Sequence, residues 1–206
     1  ISISTFALPY RSYTYNYWGE VVPSPPPYVP AGEIFGKDIG VSDFNNPNDI
    51  FVSTRNKIYV VDTGNNRIIC LDENFNLKNI FNKFKISNNK YGNFKKPMGI
   101  HVTDDGYMYV ADTDNSRIVV LDIKNNTMVR EIKSPEGEGI IGEDFNFQPL
   151  KVVVDEANRI YVIAQNVYEG LMIFDSEGIF LGFVGAPQVN PNFWDYIWKR
   201  ISTEEQ

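Results

Sequence analysis

Short hydrophobic runs alternate with polar turn residues along most of the chain. In residues 97–132, four such runs occur at Gly99–Val102, Tyr107–Ala111, Arg117–Leu121 and Thr127–Ile132. Asp, Asn, Gly and Ser separate the runs, and short apolar runs bounded by these residues are typical of β-strands. Several runs are almost continuously apolar instead of alternating, which predicts strands that are covered on both faces.

A unit of about 50 residues recurs along the chain. The segments KIYVVDTGNNRIICLD (57–72) and YMYVADTDNSRIVVLD (107–122) align without a gap, and RIYVIAQNVYEGLMIFD (159–175) is a third, weaker copy. Each copy follows a short apolar run that begins with proline. Four short strands per unit at this period, with both faces covered, predict the blades of a β-propeller.

The predicted fold is therefore all-β, with three four-stranded blades at residues 47–84, 97–132 and 149–185. Residues 1–46 form an aromatic and proline-rich segment. Part of it, YVPAGEIFG at 28–36, is similar to the last strand of a blade, so we expect the segment to supply an outer closing strand. Residues 186–206 are expected to form a helical segment that leads to missing blades.

The repeated sequence resembles the NHL repeat. A proline-led strand, then IYVVD, a polar turn, and NRI followed by apolar residues and Asp carry this resemblance in the first copy. It implies blades of a six-bladed ring, so this chain would be the N-terminal half of a longer propeller or would pair as a homodimer. The chain is also similar to secreted or surface NHL-repeat proteins of Gram-positive bacteria, which implies an extracellular or cell-surface location.

The turn Asp-Thr-x-Asn-x-Arg occurs in the first two copies, with Asp62 and Arg67 in one and Asp112 and Arg117 in the other. Carboxylates and amides on a loop suggest a Ca²⁺ site, but the spacing lacks the glycine and the final acid of an EF-hand loop. Recurrence in two blades favours a structural role, in which the Asp accepts backbone N–H bonds and pairs with the Arg.

Two segments are candidate ligand-binding sites. Tyr13, Tyr15 and Tyr17 alternate with period two, which predicts three aromatic rings on one face of a strand. Such a face favours packing against the outer edge of the last blade, and is also suited to stacking on sugars or on a protein partner. The third repeat lacks the Asp-Thr turn, which indicates either sequence drift that a neighbouring residue compensates or a functional position. The exposed residues of that turn are expected to be Asn166, Tyr168 and Glu169.

The composition of the chain limits the catalytic and metal-binding chemistry that it can support. The chain has 206 residues, a formal charge of −7, one Cys and one His. Cys70 and His101 align with apolar residues in the other copies, so we expect Cys70 to be a buried hydrophobe and His101 to be buried in a hydrogen bond. No nucleophile with an activating base can be assembled from these residues.

The acidic charge argues against nucleic-acid binding, and no apolar run is long enough to span a membrane. The sequence favours a non-enzymatic binding or scaffold propeller for a protein, peptide or carbohydrate ligand. No cofactor is expected, although Ca²⁺ or another divalent metal is possible. The alternative is a metal-dependent hydrolase that resembles the gluconolactonase-type propellers.

Overall fold

The computed structural model describes residues 12–24, 32–87, 89–135 and 145–185. Regular structure in these residues consists of sixteen β-strands in four sheets and three short 3-10 helices. Within these ranges, no helix has the length and hydropathy needed to cross a membrane.

A two-stranded hairpin lies in the N-terminal aromatic segment. It pairs β1 (Tyr13–Tyr15) with β2 (Val21–Pro23) in antiparallel register. Asn16 Oδ1 accepts hydrogen bonds from the backbone N–H groups of Trp18 and Glu20, both at 3.0 Å. Asparagine side chains stabilise turns in this way by replacing a backbone acceptor, so Asn16 determines where the strand reverses.

The first repeat forms a four-stranded antiparallel sheet, which we call blade 1. In sheet order, its strands are β3 (Pro47–Val52), β4 (Ile58–Asp62), β5 (Arg67–Leu71) and β6 (Leu77–Phe81). The β3–β4 and β5–β6 turns lie at one end of the blade, which we call the top face. The β4–β5 turn therefore lies at the opposite end, the bottom face.

The second repeat forms blade 2, which carries two additional strands. Sheet order, starting from the added hairpin, is β8 (Lys90–Asn93), β7 (Lys83–Ser87), β12 (Thr127–Ile132), β11 (Arg117–Asp122), β10 (Tyr107–Asp112) and β9 (Pro97–Val102). The hairpin β7–β8 joins the edge of β12 in parallel, and Lys85 N–H donates to Asn126 O at 2.9 Å. The connection between the first two repeats thus protects the edge of the second blade.

The third repeat forms blade 3. Its strands, in sheet order, are β13 (Pro149–Val154), β14 (Ile160–Ala164), β15 (Gly170–Phe174) and β16 (Phe180–Gly185).

Two hydrophobic clusters fill the spaces between successive blades. The cluster between blades 1 and 2 includes Tyr59, Ile68 and Phe81 from blade 1 packed with Met108 and Val119 from blade 2. A second cluster joins the other face of blade 2 to blade 3 in the same way. Both faces of blade 2 are therefore buried, which explains why its strands are almost continuously apolar in sequence.

Blade 3 leaves uncovered the face that is buried in the other blades. Tyr161 pairs with Ile173 across β14 and β15 as Tyr109 pairs with Val120 in blade 2. Tyr109 and Val120 are only 6% and 2% exposed because blade 3 covers them, whereas Ile163 on the equivalent face of blade 3 is 47% exposed. No described blade covers this apolar face.

The all-β architecture of four-stranded blades, predicted from the repeat, is confirmed. The hairpin β7–β8 was not predicted, because its polar, lysine-bearing sequence gives no clear strand pattern. Residues 32–36, at the end of the predicted closing strand, are not in a strand, and residues 28–31 lie outside the described residues. Residues 186–206, with the predicted helical segment, also lie outside them, so both expectations stay predictions.

Candidate functional site

The buried carboxylate of Asp62 organises the β4–β5 turn on the bottom face. Its Oδ1 accepts a hydrogen bond from Asn45 N–H at 2.7 Å. Its Oδ2 accepts from Asn65 Nδ2 at 2.9 Å and from Arg67 Nε at 2.6 Å. Arg67 also donates from Nη2 to Ser42 O at 2.7 Å, so the pair ties the segment before the blade to the turn.

Asp112 makes the equivalent contacts in blade 2. Its carboxylate accepts from Lys95 N–H at 2.7 Å, from Asn115 Nδ2 at 2.9 Å and from Arg117 Nε at 2.8 Å. Arg117 also pairs with Glu131 at 2.9 Å. Burial opposes the charge of Arg117, but its hydrogen bonds to the two carboxylates outweigh that effect and raise its pKa.

The threonine that follows each Asp connects one blade to the next. Thr63 Oγ1 donates to Pro97 O at 2.6 Å, and Thr113 Oγ1 donates to Pro149 O at 2.7 Å. Both hydroxyls are buried, so each bond satisfies a donor that would otherwise be costly to bury. The Asp-Thr motif therefore links consecutive blades as well as closing its own turn.

The Asp62 and Asp112 carboxylates direct both oxygens toward N–H donors of the fold. Among the described residues, no group of three or more His, Cys, Asp or Glu side chains is placed to hold a metal ion.

Asn166, Tyr168 and Glu169 lie together in the β14–β15 turn on the bottom face. Asn166 adopts a left-handed conformation with φ 61°, and Tyr168 is 85% exposed. Tyr168 N–H donates to Glu169 Oε2 at 3.0 Å. Ala164 stands where the other blades have the buried Asp, so this turn lacks their carboxylate network.

Tyr13 and Tyr15 share one face of β1, with edge-to-face rings whose centroids are 5.8 Å apart. Tyr17 lies beyond the strand in the turn, where its ring contacts Trp18 edge-to-face, also at 5.8 Å. The four rings are 59%, 62%, 94% and 79% exposed, respectively. The predicted three-tyrosine ladder is therefore two adjacent pairs of exposed rings, because the chain reverses after Asn16.

The prediction that His101 is buried in a hydrogen bond is wrong. The imidazole is half-buried, and among the described residues it forms no hydrogen bond. It lies edge-on to Phe51, with ring centroids 4.9 Å apart, and burial lowers its pKa. The equivalent Val153 is 54% exposed. Phe51, His101 and Val153 occupy the same position on the inner strands β3, β9 and β13, and the sequence alignment could not distinguish this position from a fully buried core position.

Cys70 is buried, as expected, and is 3% exposed. Burial raises the pKa of its thiol, even though a hydrogen bond with Tyr59 and the nearby Lys57 favour the thiolate. Burial likewise raises the pKa of Tyr59. Both groups are therefore neutral near pH 7.

The top face carries a depression of about 430 Å³ between the inner strands of the three described blades. Its floor includes Phe51 and His101. Its rim is formed by the β9–β10 and β13–β14 turns, with the acidic side chains of Asp104, Asp105, Asp155 and Glu156. We call this depression the channel mouth.

The acidic rim was not singled out from the sequence. The sequence feature that could have indicated this rim is a pair of acidic residues in the turn after the first strand of a repeat. These pairs are Asp104-Asp105 and Asp155-Glu156. Aspartate is so common in turns that these pairs resemble ordinary turn residues until the blades are packed side by side.

The comparison with known proteins supports the fold. An NHL repeat model matches residues 44–71, which cover the start of blade 1 through β5. No curated protein matches the sequence significantly.

Two solved structures resemble the chain at a TM-score of 0.50 and 14% sequence identity. Hydrazine synthase of Kuenenia stuttgartiensis matches over 75% of this chain and 38% of its own length. The WD40 β-propeller domain of Doa1 matches over 71% of this chain and 43% of its own length. This chain thus spans less than half of either structure, and at this identity the likeness concerns the fold alone. The chain carries an NHL repeat and, in its fold of propeller blades, resembles NHL β-propeller proteins.

Proposed function

We propose that this chain is part of a binding propeller that takes a positively charged segment of a protein or peptide partner at the channel mouth. The NHL propeller fold supports a scaffold or binding role, and NHL propellers generally mediate protein interactions. The observation that carries the proposal is the charge of the mouth, which is lined by four carboxylates and by no lysine or arginine.

The carboxylates differ in how far they are neutralised. Asp155 pairs with Arg159 at 2.8 Å, whereas Glu156 has no hydrogen-bonding or ionic partner among the described residues. Asp104 and Asp105 accept hydrogen bonds from the hydroxyls of Thr54 and Thr103, which hold them in place but leave their charge. Asp104, Asp105 and Glu156 form no ion pair with a described residue, and the nearby Arg55 donates to the backbone O of Asp104 at 2.9 Å. Acidic side chains at a concave surface attract a cationic ligand, because the low-dielectric walls concentrate the electric field.

The floor of the mouth suits the same ligand. Because burial lowers the pKa of His101, its imidazole is neutral near pH 7 and does not repel a cation. Phe51 offers an aromatic ring beside it. Lysine and arginine side chains bind such rings through their charged groups and cover them with their aliphatic stems.

Fluorescence anisotropy with a labelled hexalysine peptide tests this proposal. We expect saturable binding that weakens as NaCl rises from about 50 to about 300 mM, because the contacts are ionic. Asp104→Asn combined with Glu156→Gln should weaken binding by about tenfold, or about 1.4 kcal/mol. These substitutions preserve size, so they should not disturb the turns.

The matched control is Asp43→Asn combined with Asp114→Asn, which removes the same charge from the bottom face. It should leave affinity for hexalysine unchanged. Equal weakening by both double variants would mean that the acidic chain attracts the peptide non-specifically, and the proposal would be rejected. Absence of saturable binding to the unmodified chain would reject it as well.

A second candidate ligand surface is the aromatic hairpin β1–β2. Tyr13, Tyr15, Tyr17 and Trp18 are all more than half exposed, and exposed aromatic groups of this kind mark ligand-binding surfaces. We propose a carbohydrate ligand for it, with rings stacking on sugar faces. A glycan array with the chain and with its Tyr15→Ala/Trp18→Ala variant tests this, and identical array profiles would remove the candidate.

We also propose an extracellular or cell-surface location in a bacterium, on the resemblance to surface NHL-repeat proteins alone.

A further inference from the structure

A cleft of about 640 Å³ opens between blades 1 and 2. It adjoins the channel mouth at Asp105, which lines both cavities. We call it the inter-blade cleft. Its floor is formed by Tyr59 and Cys70, and Asn79 lies on its blade 1 side. On the blade 2 side it is bounded by the β9–β10 and β11–β12 turns, the latter with Lys124.

The equivalent space between blades 2 and 3 is largely filled. Its volume is about 250 Å³, and Arg130 spans it from β12 to the β15–β16 turn of blade 3. There the guanidinium donates from Nη1 to Ser176 O and from Nη2 to Glu177 Oε2, the latter at 3.1 Å. An ion pair therefore closes this second space.

The strand registers show that the two spaces are equivalent. Asn79 is paired with Cys70 in blade 1 as Arg130 is paired with Val120 in blade 2. On the opposite wall, the N–H of Lys124 donates to the turn aspartate at 2.9 Å. The N–H of Glu177 makes the same bond, also at 2.9 Å, in blade 3. The inter-blade cleft thus has asparagine in place of the arginine and lysine in place of the glutamate.

These replacements leave the cleft open and positively charged. Its lining has four cationic side chains against two carboxylates, with the cations at Arg55, Lys57, Lys78 and Lys124. Lys78 is paired with Asp72 at 2.8 Å, and Arg55 donates to Asp104 O at 2.9 Å. The ammonium groups of Lys57 and Lys124 form no ion pair within 4 Å and no hydrogen bond in the described part of the chain, and the charge of Lys124 contributes to lowering the pKa of Asp122.

A neutral donor supplements the two lysines. Asn79 Oδ1 accepts from Ile80 N–H at 2.8 Å, so its amide Nδ2 is free to donate into the cleft. The floor cannot contribute negative charge, because burial raises the pKa values of both the Tyr59 hydroxyl and the Cys70 thiol. Two ammonium groups and an amide around a partly enclosed space are donors suited to a carboxylate.

We propose that the inter-blade cleft binds a carboxylate, held by Lys57, Lys124 and Asn79, which takes the role that the Glu177 side chain has between blades 2 and 3. The carboxylate belongs either to an acidic side chain of a partner peptide or to a small dicarboxylic acid. This site shares no residue of its donor set with the channel mouth, so it goes beyond the proposed function.

Two probes distinguish the two sources of the carboxylate. Labelled hexaglutamate, followed by anisotropy, tests the peptide, and glutarate, followed by isothermal titration calorimetry, tests the free acid. We expect saturable binding of at least one probe to the 206-residue chain. Lys57→Gln combined with Lys124→Gln should weaken it by about tenfold or more.

The control variant, Lys90→Gln combined with Lys133→Gln, removes the same charge from lysines that do not line the cleft. It should bind both probes as the unmodified chain does. Asp104→Asn/Glu156→Gln, which impairs the channel mouth, should also leave hexaglutamate binding intact, so failure at one site is distinguishable from failure at the other.

A variant designed to close the inter-blade cleft provides a second test. Asn79→Arg combined with Lys124→Glu recreates the Arg130–Glu177 pair and should abolish binding of both probes without lowering the melting temperature. The proposal is overturned if neither probe binds, if the two lysine double variants weaken binding equally, or if the closed variant melts as the unmodified chain does and still binds.

Discussion

The carboxylate of Asp49 in blade 1 forms an ion pair with the ammonium of Lys151 in blade 3, at 2.9 Å. The two residues lie on inner strands that are separated by β9 of blade 2. Asp49 Oδ2 also accepts from Ile100 N–H of β9 at 3.0 Å, and Lys151 Nζ donates to Asn48 O at 3.1 Å. These three contacts form one polar cluster, which joins the inner strands of the three described blades.

Gly99, in the intervening strand β9, permits this close approach. A Cβ atom at this position would lie 2.6 Å from Leu150 O and 2.8 Å from Lys151 Cα, both backbone atoms. No residue with a side chain fits there unless the inner strands separate. Asp49 and Gly99 also occupy the same position of the repeat. In blade 1 this position provides an ion-pair partner, and in blade 2 its missing side chain leaves room for the neighbouring strand.

Gly99→Ala is expected to destabilise the chain by about 1–3 kcal/mol, because the added methyl group forces backbone atoms apart. Urea unfolding followed by circular dichroism measures the effect. Gly32→Ala is the control, since its Cβ would meet no atom within 4 Å and its backbone is not left-handed. Equal stability of the two variants would contradict the tight contact between β9 and β13.

Asp112→Ala is expected to lower the free energy of unfolding by about 3–5 kcal/mol, because it removes the buried carboxylate of the pair and leaves the Lys95 N–H without its acceptor. Arg117 then keeps its pair with Glu131 but loses the one with Asp112. Asp114→Ala, two residues away, serves as control. The Asp114 carboxylate is part of a partly exposed pair with Lys96 at 3.9 Å, and such pairs contribute about 0–1 kcal/mol. Similar losses for the two variants in urea unfolding would mean that the Asp112 network does not hold the turn.

Stability is expected to fall as pH decreases below about 6.5, the ordinary pKa of histidine. Burial lowers the pKa of His101, so between its folded and unfolded pKa values the unfolded chain binds more protons. As the pH falls through this window, the free energy of unfolding therefore decreases. Below the folded pKa, His101 is protonated in both states and causes no further decrease.

His101→Gln isolates this contribution, since all carboxylates are kept. Urea unfolding at about pH 7.5, 6.5 and 5.5 should show a shallower pH dependence for the variant than for the unmodified chain. Parallel curves would show that His101 has the same pKa in the folded and unfolded chain.

Chelation of divalent cations with EDTA is expected to leave the melting temperature unchanged, as is addition of Ca²⁺. The reason is that the Asp62 and Asp112 oxygens accept hydrogen bonds from Asn, Arg and backbone donors of their own turns. A bound metal would raise stability according to its affinity, so a reversible fall of several degrees after chelation would contradict this assignment.

The sequence alone determined the unit of the fold. Tyr59, Asp62 and Arg67 recur 50 residues later in the second copy, which indicates the strand-turn-strand unit because both copies bury the same strand positions and hold their turns with the same carboxylate. The third copy keeps the strand pattern but has Ala164 in place of the Asp. Continuous apolar runs required cover on both faces, and stacking of blades supplies it. These constraints are local and periodic, so the sequence alone is enough to predict the strands and turns of each blade.

Only the tertiary structure decided which aligned positions meet across blades. Asp49, Gly99 and Lys151 are one position of the repeat, and nothing in their sequence indicates that they combine into one contact. Likewise, the sequence does not indicate a role for Asn79 and Lys124. Their importance follows from the Arg130–Glu177 pair, which occupies the equivalent space between blades 2 and 3. Contacts between blades join side chains about 50 to about 100 residues apart in the sequence, and their pairing depends on how the sheets stack, not on the pattern within each sheet.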